Sequence, residues 1–416
     1  MANKKIAYIQ FPGSNTENET KNILEKHGMV PFGHFWNDNH DMLKNYDGYI
    51  ILGGFSFEDR SRSGIIASLE PVVQELKKYA LLGKPILGIC NGAQILVESG
   101  LVPGNDRLGV LASLTDNKRV VGNRIVGTGY YNKWCYIKPN KNTRSAFIKK
   151  GGSPLRVPIA HAEGRFVFDK ELEDEVIKNN LIAYKYCDVD GSTSDDFPIN
   201  PNGSFRSAAA LSNLAGNVMA IMPHPERTLN DEADDIFESM KEYMESDKPF
   251  SYQALRFESK KLQVKKFKKM QHTKEVLVSA IIADNEAASV EKCINNLGVK
   301  AKIKKYVHFE IALEEGLDIE DVLSTDTLFN PSKEYITELV KDVNIHRFLV
   351  CNKDDVHGQS ITQTLRDRFN LKGLESVKKS VLWEIKINSN STKKDVDLIL
   401  NSHIFANPIS QVCHEY

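Results

Sequence analysis

Pro85-Ile86-Leu87-Gly88-Ile89-Cys90-Asn91-Gly92-Ala93-Gln94-Ile95-Leu96-Val97 carries an apolar strand into an apolar helix through a turn that sets one cysteine between two glycines. The order glycine-x-nucleophile-x-glycine is that of an elbow, in which a strand turns sharply into a helix and presents a single side chain at the top. A side chain at either flank would collide with neighbouring backbone in so tight a turn. At the N-terminus of the following helix, free N–H groups and aligned peptide dipoles favour a thiolate over a thiol. The same N–H groups can supply half of an oxyanion hole. Cys90 is therefore the candidate nucleophile. The plainer reading, a small buried hydrophobe, is the fate of most single cysteines. The elbow weighs against it while leaving several enzyme classes open.

Upstream, short apolar runs alternate with helical patterns: Ile6–Ile9, a helix after Ser14-Asn15-Thr16 that stops near Gly28, Tyr49–Leu52, and a helix over Ile65–Leu82. Alternation of this kind predicts βα units. The expected class is α/β, with an open, mostly parallel sheet and helices on both faces. In such sheets ligands sit beyond the carboxyl ends of the strands. The turns Phe11-Pro12-Gly13-Ser14-Asn15 and Gly53-Gly54-Phe55-Ser56 are thus expected beside the elbow.

A thiolate nucleophile needs a base steered by a third group. Met222-Pro223-His224-Pro225-Glu226-Arg227 offers both. Proline after His224 disfavours the helical region for that residue, so the segment is expected to be extended. In extended chain, residues two apart project to the same side, which sets Glu226 beside His224. A second histidine, His161 in Pro158-Ile159-Ala160-His161-Ala162-Glu163-Gly164, is an alternative base, and the residues alone leave that choice open.

Beyond residue 246 the pattern changes. Residues 247–273 lack an apolar period and crowd six lysines into Lys260-Lys261, Lys265-Lys266 and Lys268-Lys269, which reads as a basic linker. Then the chain repeats itself. Ile303–Ile311 matches Val377–Ile385 at a shift of 74 positions, and Phe329-Asn330-Pro331 matches Ala406-Asn407-Pro408 at a shift of 77. Val276-Leu277-Val278 aligns with Phe348-Leu349-Val350, and Gly298 with Gly373. Two copies of a small strand–helix–strand–helix unit, 274–345 and 346–416, are expected, an α+β tandem with antiparallel sheets. Each copy of about 70 residues would have a marginal core alone, so the two sheets are expected to bury against each other as a pseudo-dimer.

The chain is 416 residues long, with 54 basic and 55 acidic residues and a net charge of -1. That balance argues against nucleic acid as the main partner, the lysine-rich stretch notwithstanding. No apolar run approaches membrane-spanning length and no secretory leader is read at the N-terminus, so no membrane association and a cytoplasmic setting are expected. The six cysteines form no paired spacing, which predicts neither a metal site nor a disulfide framework.

The stretches already quoted, with Arg62-Ser63-Gly64, Asn200-Pro201-Asn202-Gly203-Ser204 and Gly216-Asn217-Val218, resemble the glutaminase subunit of phosphoribosylformylglycinamidine synthase, a class I glutamine amidotransferase. The resemblance runs from Ile6 to about Arg227 and implies a glutamine amidotransferase domain over 1–246. It implies that Cys90 attacks L-glutamine, that His224 moves the proton, and that Glu226 orients His224. It further implies an oxyanion site at the N–H groups of Gly54 and Asn91, with Phe55 and Gln94 near the glutamine and Arg62 and His161 in support. Glu58, Arg60, Ser61 and Ala93 stand where the family usually has glycine, tyrosine, leucine and phenylalanine. The C-terminal half resembles two copies of the small accessory subunit of the same synthase, with Asp355-Val356-His357-Gly358 before a helix at Ser360–Phe369; the first copy lacks that Asp-x-x-Gly turn. The implied partners are a separate synthetase large subunit, which would hold ATP and Mg, and the chain itself through the repeats. No cofactor is expected in this chain, because it has no G-x-x-x-x-G-K phosphate loop. The rival readings are a non-catalytic scaffold and another elbow-type cysteine hydrolase.

Overall fold

The apolar runs before the elbow fold as β1 (Lys5–Gln10), β2 (Val30–Phe35), β3 (Gly48–Ile51) and β4 (Ile86–Ile89). β3 and β4 are buried at every position, which is why they read as continuous apolar runs and not as alternations. The structure, a computed structural model, describes residues 3–122, 124–149, 152–228, 232–246, 248–340, 342, 344–387 and 393–416. The chain divides into two compact units, Met1–Lys260 and Lys261–Tyr416.

The first unit continues with β5 (Tyr131–Pro139), β6 (Leu155–His161), β7 (Ile182–Cys187), β8 (Ala208–Ser212) and β9 (Val218–Ile221). Among the described residues, nine strands form one sheet in the order β2-β1-β3-β4-β9-β8-β7-β5-β6. The sheet is mixed. Its β2-β1-β3-β4-β9 part is parallel, and from β9 onward every neighbour is antiparallel. The register Ile89↔Ile221 decides the site, because it brings the chain leaving β4 and the chain leaving β9 to the same carboxyl edge.

Among the helices of this unit are α1 (Glu17–Lys26), which packs on β1 and β2, α2 (Pro71–Leu81), and α3 (Asn91–Glu98), which packs on β3, β4 and β9. The helix expected over Ile65–Leu82 is broken. A short turn at Ile65–Ser68 ends, Glu70 is extended (φ -69°, ψ 147°), and Pro71 opens α2. Proline has no N–H to continue the earlier helix, but at the first helical position it loses nothing.

In the second unit, β10 (Val264–Lys266), β11 (Thr273–Ala280), β12 (Ala301–Leu313), β13 (Glu334–Ile336), β14 (Ile345–Asn352), β15 (Leu374–Ile387) and β16 (Gln411–Glu415) form one sheet. Its order is β10-β16-β14-β15-β12-β11-β13. Helix α4 (Asn285–Asn296) lies between β11 and β12, and α5 (Val356–Phe369) between β14 and β15. The expectation of two sheets packed face to face is corrected here. The copies join edge to edge through the long antiparallel pair β12 and β15, giving a single sheet. Backbone groups that would be open edges in separate copies are paired in this way.

Val307 pairs with Val381, its own counterpart 74 positions later, so a local two-fold axis passes through that pair. The turn chemistry also repeats. Asn330 Oδ1 accepts from Ser332 N and Asn407 Oδ1 from Ile409 N, while Asn330 N donates to Glu334 Oε2 and Asn407 N to Gln411 Oε1. The Asp-x-x-Gly turn thought absent from the first copy has an equivalent. Asp284 caps α4 by accepting from Glu286 N and Ala287 N, as Asp355 caps α5 by accepting from Gly358 N. Alanine in place of glycine hid that match. With this cap, α5 starts at Val356, earlier than the expected Ser360.

The stretch expected as linker splits between the units. Leu255 is buried and bridges Asn105, whose side chain donates to Phe257 O, whereas Val264–Lys266 is strand β10 beside β16. Asp247 lies outside the described residues. Among the described residues no helix is long and apolar enough to cross a membrane, and no group of three or more His, Cys, Asp or Glu side chains is set to hold a metal.

Candidate active site

β4 ends at Ile89, and Cys90 takes φ 52°, ψ -105°, a left-handed backbone for a residue with a side chain. Such strain persists only where the surroundings enforce it. Here Cys90 N donates to Ile221 O at 2.8 Å, tying the elbow to β9. A Cβ on Gly92 would lie 2.1 Å from Ile51 O, and one on Gly88 2.4 Å from Gly92 O. Both glycines are therefore dictated by close approach of backbone. Cys90 itself is 5% exposed, and its Sγ sits 3.8 Å from Ala160 O.

His224 arrives from the neighbouring strand. Its N–H donates to Pro158 O, its Nδ1 lies 2.7 Å from Glu226 Oε1, and its ring is near enough to Cys90 for the two to interact electrostatically. The route to this pairing differs from the extended chain expected. His224 is extended (φ -104°, ψ 86°), but Pro225–Arg227 is a single 3-10 turn. Proline at the first helical position opens that turn, and the turn, not strand alternation, folds Glu226 back onto the ring. Burial alone would push the His224 pKa down. The Glu226 carboxylate and Cys90 outweigh it and raise the value to about 10, so the imidazolium is favoured.

The expected oxyanion donors lie at the first residue of α3, Asn91, and on the loop after β3, where a Cβ on Gly53 would stand 2.9 Å from the His224 ring. Gly54 is held at φ 138° by a bridge to Ser14, with Phe55 N donating to Gly13 O. A Cβ there would stand 2.3 Å from Gly13 O. Among the described residues neither Gly54 N nor Asn91 N has a hydrogen-bond partner. Asn91 instead fixes its own side chain, accepting from Ser56 N and donating to Asp59 Oδ1 and Gln94 Oε1.

A model of the CobB/CobQ-like glutamine amidotransferase domain matches residues 3–257. The phosphoribosylformylglycinamidine synthase subunit PurQ of Methanothrix thermoacetophila is 44% identical over 227 residues, which cover 54% of this chain and 86% of that protein. Its counterpart from Methanocaldococcus jannaschii is 39% identical over 225 residues, covering 54% and 89%. This chain belongs to the PurQ family. Among solved structures it is similar to PurLQS from Thermotoga maritima, at 28% identity and a TM-score of 0.46, covering 58% of this chain and 100% of that one.

The remaining expected residues of this PurQ-family site fall into two groups. Gln94 is buried, its Nε2 donating to Glu163 O at 2.6 Å, while Phe55 stays 45% exposed. Arg62 is committed elsewhere. Its guanidinium makes a two-pronged bond to the Glu98 carboxylate (3.3 and 3.0 Å), clamping the loop after β3 onto α3. His161 is not paired with a carboxylate as His224 is. Asn117 donates Nδ2 to Gly129 O and His161 O, which leaves its Oδ1 to accept from Gly164 N and the His161 Nδ1–H. Burial and the nearby His224 push the His161 pKa down to about 3, so the ring is neutral. The alternative of His161 as the steered base has lost its physical support.

Asn117, Asp59 and Glu163 were not singled out by sequence. The Asn200–Ser204 run was, but without a role: Asn202 Nδ2 and Ser204 Oγ both bond Gly164 O, clamping the loop that carries His161 and Glu163. Thr16, buried at the start of α1, accepts from Gly53 N through its hydroxyl and sets the turn before Gly54.

Proposed function

We infer that this chain, as the glutaminase component of phosphoribosylformylglycinamidine synthase, hydrolyses L-glutamine to glutamate and ammonia for purine biosynthesis. The observation that carries the catalytic reading is the chain of contacts Cys90, His224, Glu226 at the common edge of β4 and β9. Cys90 Sγ forms the bond to the carboxamide carbon while its proton resides on His224. The carbonyl oxygen, now an oxyanion, accepts from Gly54 N–H and Asn91 N–H. His224 returns the proton to the nitrogen, the C–N bond breaks, and ammonia leaves a thioester. Water, giving its proton to His224, cleaves the thioester to glutamate and restores the thiol.

In this reading ammonia passes to a separate synthetase large subunit, which holds ATP and Mg²⁺ and performs the ligation in the cytoplasm. The two C-terminal copies serve as tandem accessory-subunit repeats that bridge glutaminase and synthetase and support self-association. Partner-dependent activity follows, because ammonia released with no synthetase docked would be lost. The test is ammonia release from glutamine by the purified chain, with and without the synthetase large subunit, beside Cys90→Ala. Cys90-dependent release, stronger with the partner, supports the whole reading. No Cys90-dependent ammonia under either condition returns the chain to the scaffold alternative.

A further inference from the structure

We propose that a cavity in the second unit binds a small phosphorylated molecule with an amidinium end, the chemistry of the amidine ribonucleotide that the synthase makes. Naming that product rests on the function proposed above, whereas the class of ligand is read from the cavity alone. The cavity holds about 1040 Å³, the size of a small-molecule site, and is bounded by β12, β14 and β15, by the chain leading into β11, and by α5.

The two copies differ there in charge. In the alignment that sets Val276 on Phe348 and Ile303 on Val377, Glu310 matches Glu384, Glu275 matches Arg347, and His308 matches Leu382. Both matched glutamates are buried, at 6% and 5% exposed. Glu384 lies across the ladder from Arg347 and accepts its guanidinium at 3.0 and 2.8 Å, with Lys304 Nζ at 4.0 Å. Glu310 lies across from Glu275 instead, and among the described residues it has no cation within ion-pair distance. Its Oε1 accepts from Met270 N and the Thr273 hydroxyl, while its Oε2 has no partner among those residues.

His308 is a second and independent sign. It lines the cavity at 1% exposed where the other copy has an apolar leucine. Its Nε2 is bonded to Glu275 Oε1, and its Nδ1 has no partner among the described residues. A buried polar atom left in that condition calls for a group from outside the chain.

Other polar groups of the cavity are already engaged. Lys353 Nζ donates to Pro408 O and Ile409 O, and Arg366 to Leu374 O and Glu375 O. Asp355 accepts from Gly358 N and Lys379 N. Lys268, Lys378 and Lys379 are different, since among the described residues none of their ammonium groups forms an ion pair. Lys378 is the cross-strand partner of Glu310, yet its Nζ turns to the weak acceptor Met270 Sδ.

One carboxylate therefore lacks a cation, and three ammonium groups lack an anion. A ligand of a single sign would answer only half of this. An amidinium is planar with paired N–H groups, like the guanidinium that Glu384 holds, and can donate to Glu310 Oε2 and His308 Nδ1. A phosphate offers the lysines strong acceptors.

The test is calorimetric titration of the full chain, free of the synthetase subunit, which would itself hold the product. One probe is the amidine ribonucleotide, and a second is the corresponding amide ribonucleotide, which keeps the phosphate but is neutral at the other end. The third, N-acetylarginine amide, has the planar cation without the phosphate. The amidine ribonucleotide is expected to bind at least about tenfold more tightly than either, because a buried carboxylate rejects an analogue that leaves it unpaired. Glu310→Gln is expected to bring the two nucleotides within about twofold of each other. Lys268→Ala with Lys378→Ala, both at exposed positions and so without risk to the fold, is expected to weaken both nucleotides about tenfold. Equal affinity for the two nucleotides, no saturable binding, or unchanged binding in the lysine variant would overturn the proposal. So would N-acetylarginine amide binding as tightly as the amidine ribonucleotide, which would assign the cavity to an arginine of a partner protein. None of these readouts involves Cys90, so loss of the glutaminase reading shows separately, as absence of Cys90-dependent ammonia.

Discussion

His224 Nδ1 and Glu226 Oε1 stand 2.7 Å apart across a single turn, with both side chains closed to solvent. A carboxylate at that distance favours a proton on Nδ1 and leaves Nε2 outside the bond. Glu226→Gln keeps the shape and removes the charge. The ring then loses the partner that offsets its burial, and the imidazolium is disfavoured. We expect kcat to fall by roughly 10²–10⁴-fold with KM changed little. Saturation kinetics on glutamine check this, and a kcat within twofold of wild type would remove Glu226 from its orienting role.

His161 imposes a pH dependence on stability. Unfolded, its ring takes up a proton near pH 6.5; folded, only near about 3. Between those values the unfolded state binds the extra proton, so this contribution to stability is present above pH 6.5 and is lost as the pH falls toward 3. Between pH 7 and pH 5 the loss is about 2 kcal/mol. Asp59 and Glu163, with raised values, act in the opposite direction over the neighbouring range, so a difference between proteins is needed. Urea unfolding of wild type and His161→Gln at both pH values isolates the histidine. The variant is expected to show the smaller loss, and parallel curves would contradict it.

Gly92→Ala places a methyl group 2.1 Å from Ile51 O, where backbone faces backbone and no side chain can swing away. A cost of roughly 2–4 kcal/mol is expected. Glutaminase activity falls further than stability, since the elbow must move for the methyl to fit. Thermal unfolding together with iodoacetamide labelling of Cys90 reads both effects. A variant with wild-type melting and labelling would show that the elbow has slack the geometry does not display.

The seam between β12 and β15 runs from Ala301↔Ile387 to Leu313↔Leu374. A protease site inserted in the connection between Ile336 and Ile345 cuts the chain between the two copies. Because the seam is backbone pairing backed by buried Ile303, Phe309, Ile311, Leu382 and Ile385, the halves should remain together after cleavage. Co-elution on size exclusion, lost only in denaturant, is the expected outcome. Separation at neutral pH would mean that the covalent connection holds the copies, not the seam.

These expectations differ in how much the chain declared in advance. The elbow was legible because everything it requires lies within five consecutive residues, Gly88 to Gly92. The His224–Glu226 pairing was also local, yet the reason offered for it was wrong, since a proline-led turn and not an extended strand brings the two together. Asp59, Asn117 and Glu163 escaped notice because each gains its role from partners far along the chain: Asn91 for Asp59, His161 for Asn117, Ser63 for Glu163. Spacing carries no trace of such meetings. The repeat in the C-terminal half was visible as matched residues, but whether its copies stack by their faces or join by their edges depends on which backbone groups are left unpaired, and residue patterns do not record that.

The axis at Val307–Val381 would, in an assembly of two identical chains, have the same pair on either side of it. Here Tyr306 lies across from Leu382 on one side, while His308 lies across from Ser380 on the other. Separate subunits must stamp each substitution twice, once on each half. Copies written into one chain are released from that rule, so one half can drift into a new role while the other keeps the old one. All four of these side chains are buried, so the two halves have already parted company in the interior they share, and neither could be exchanged for the other.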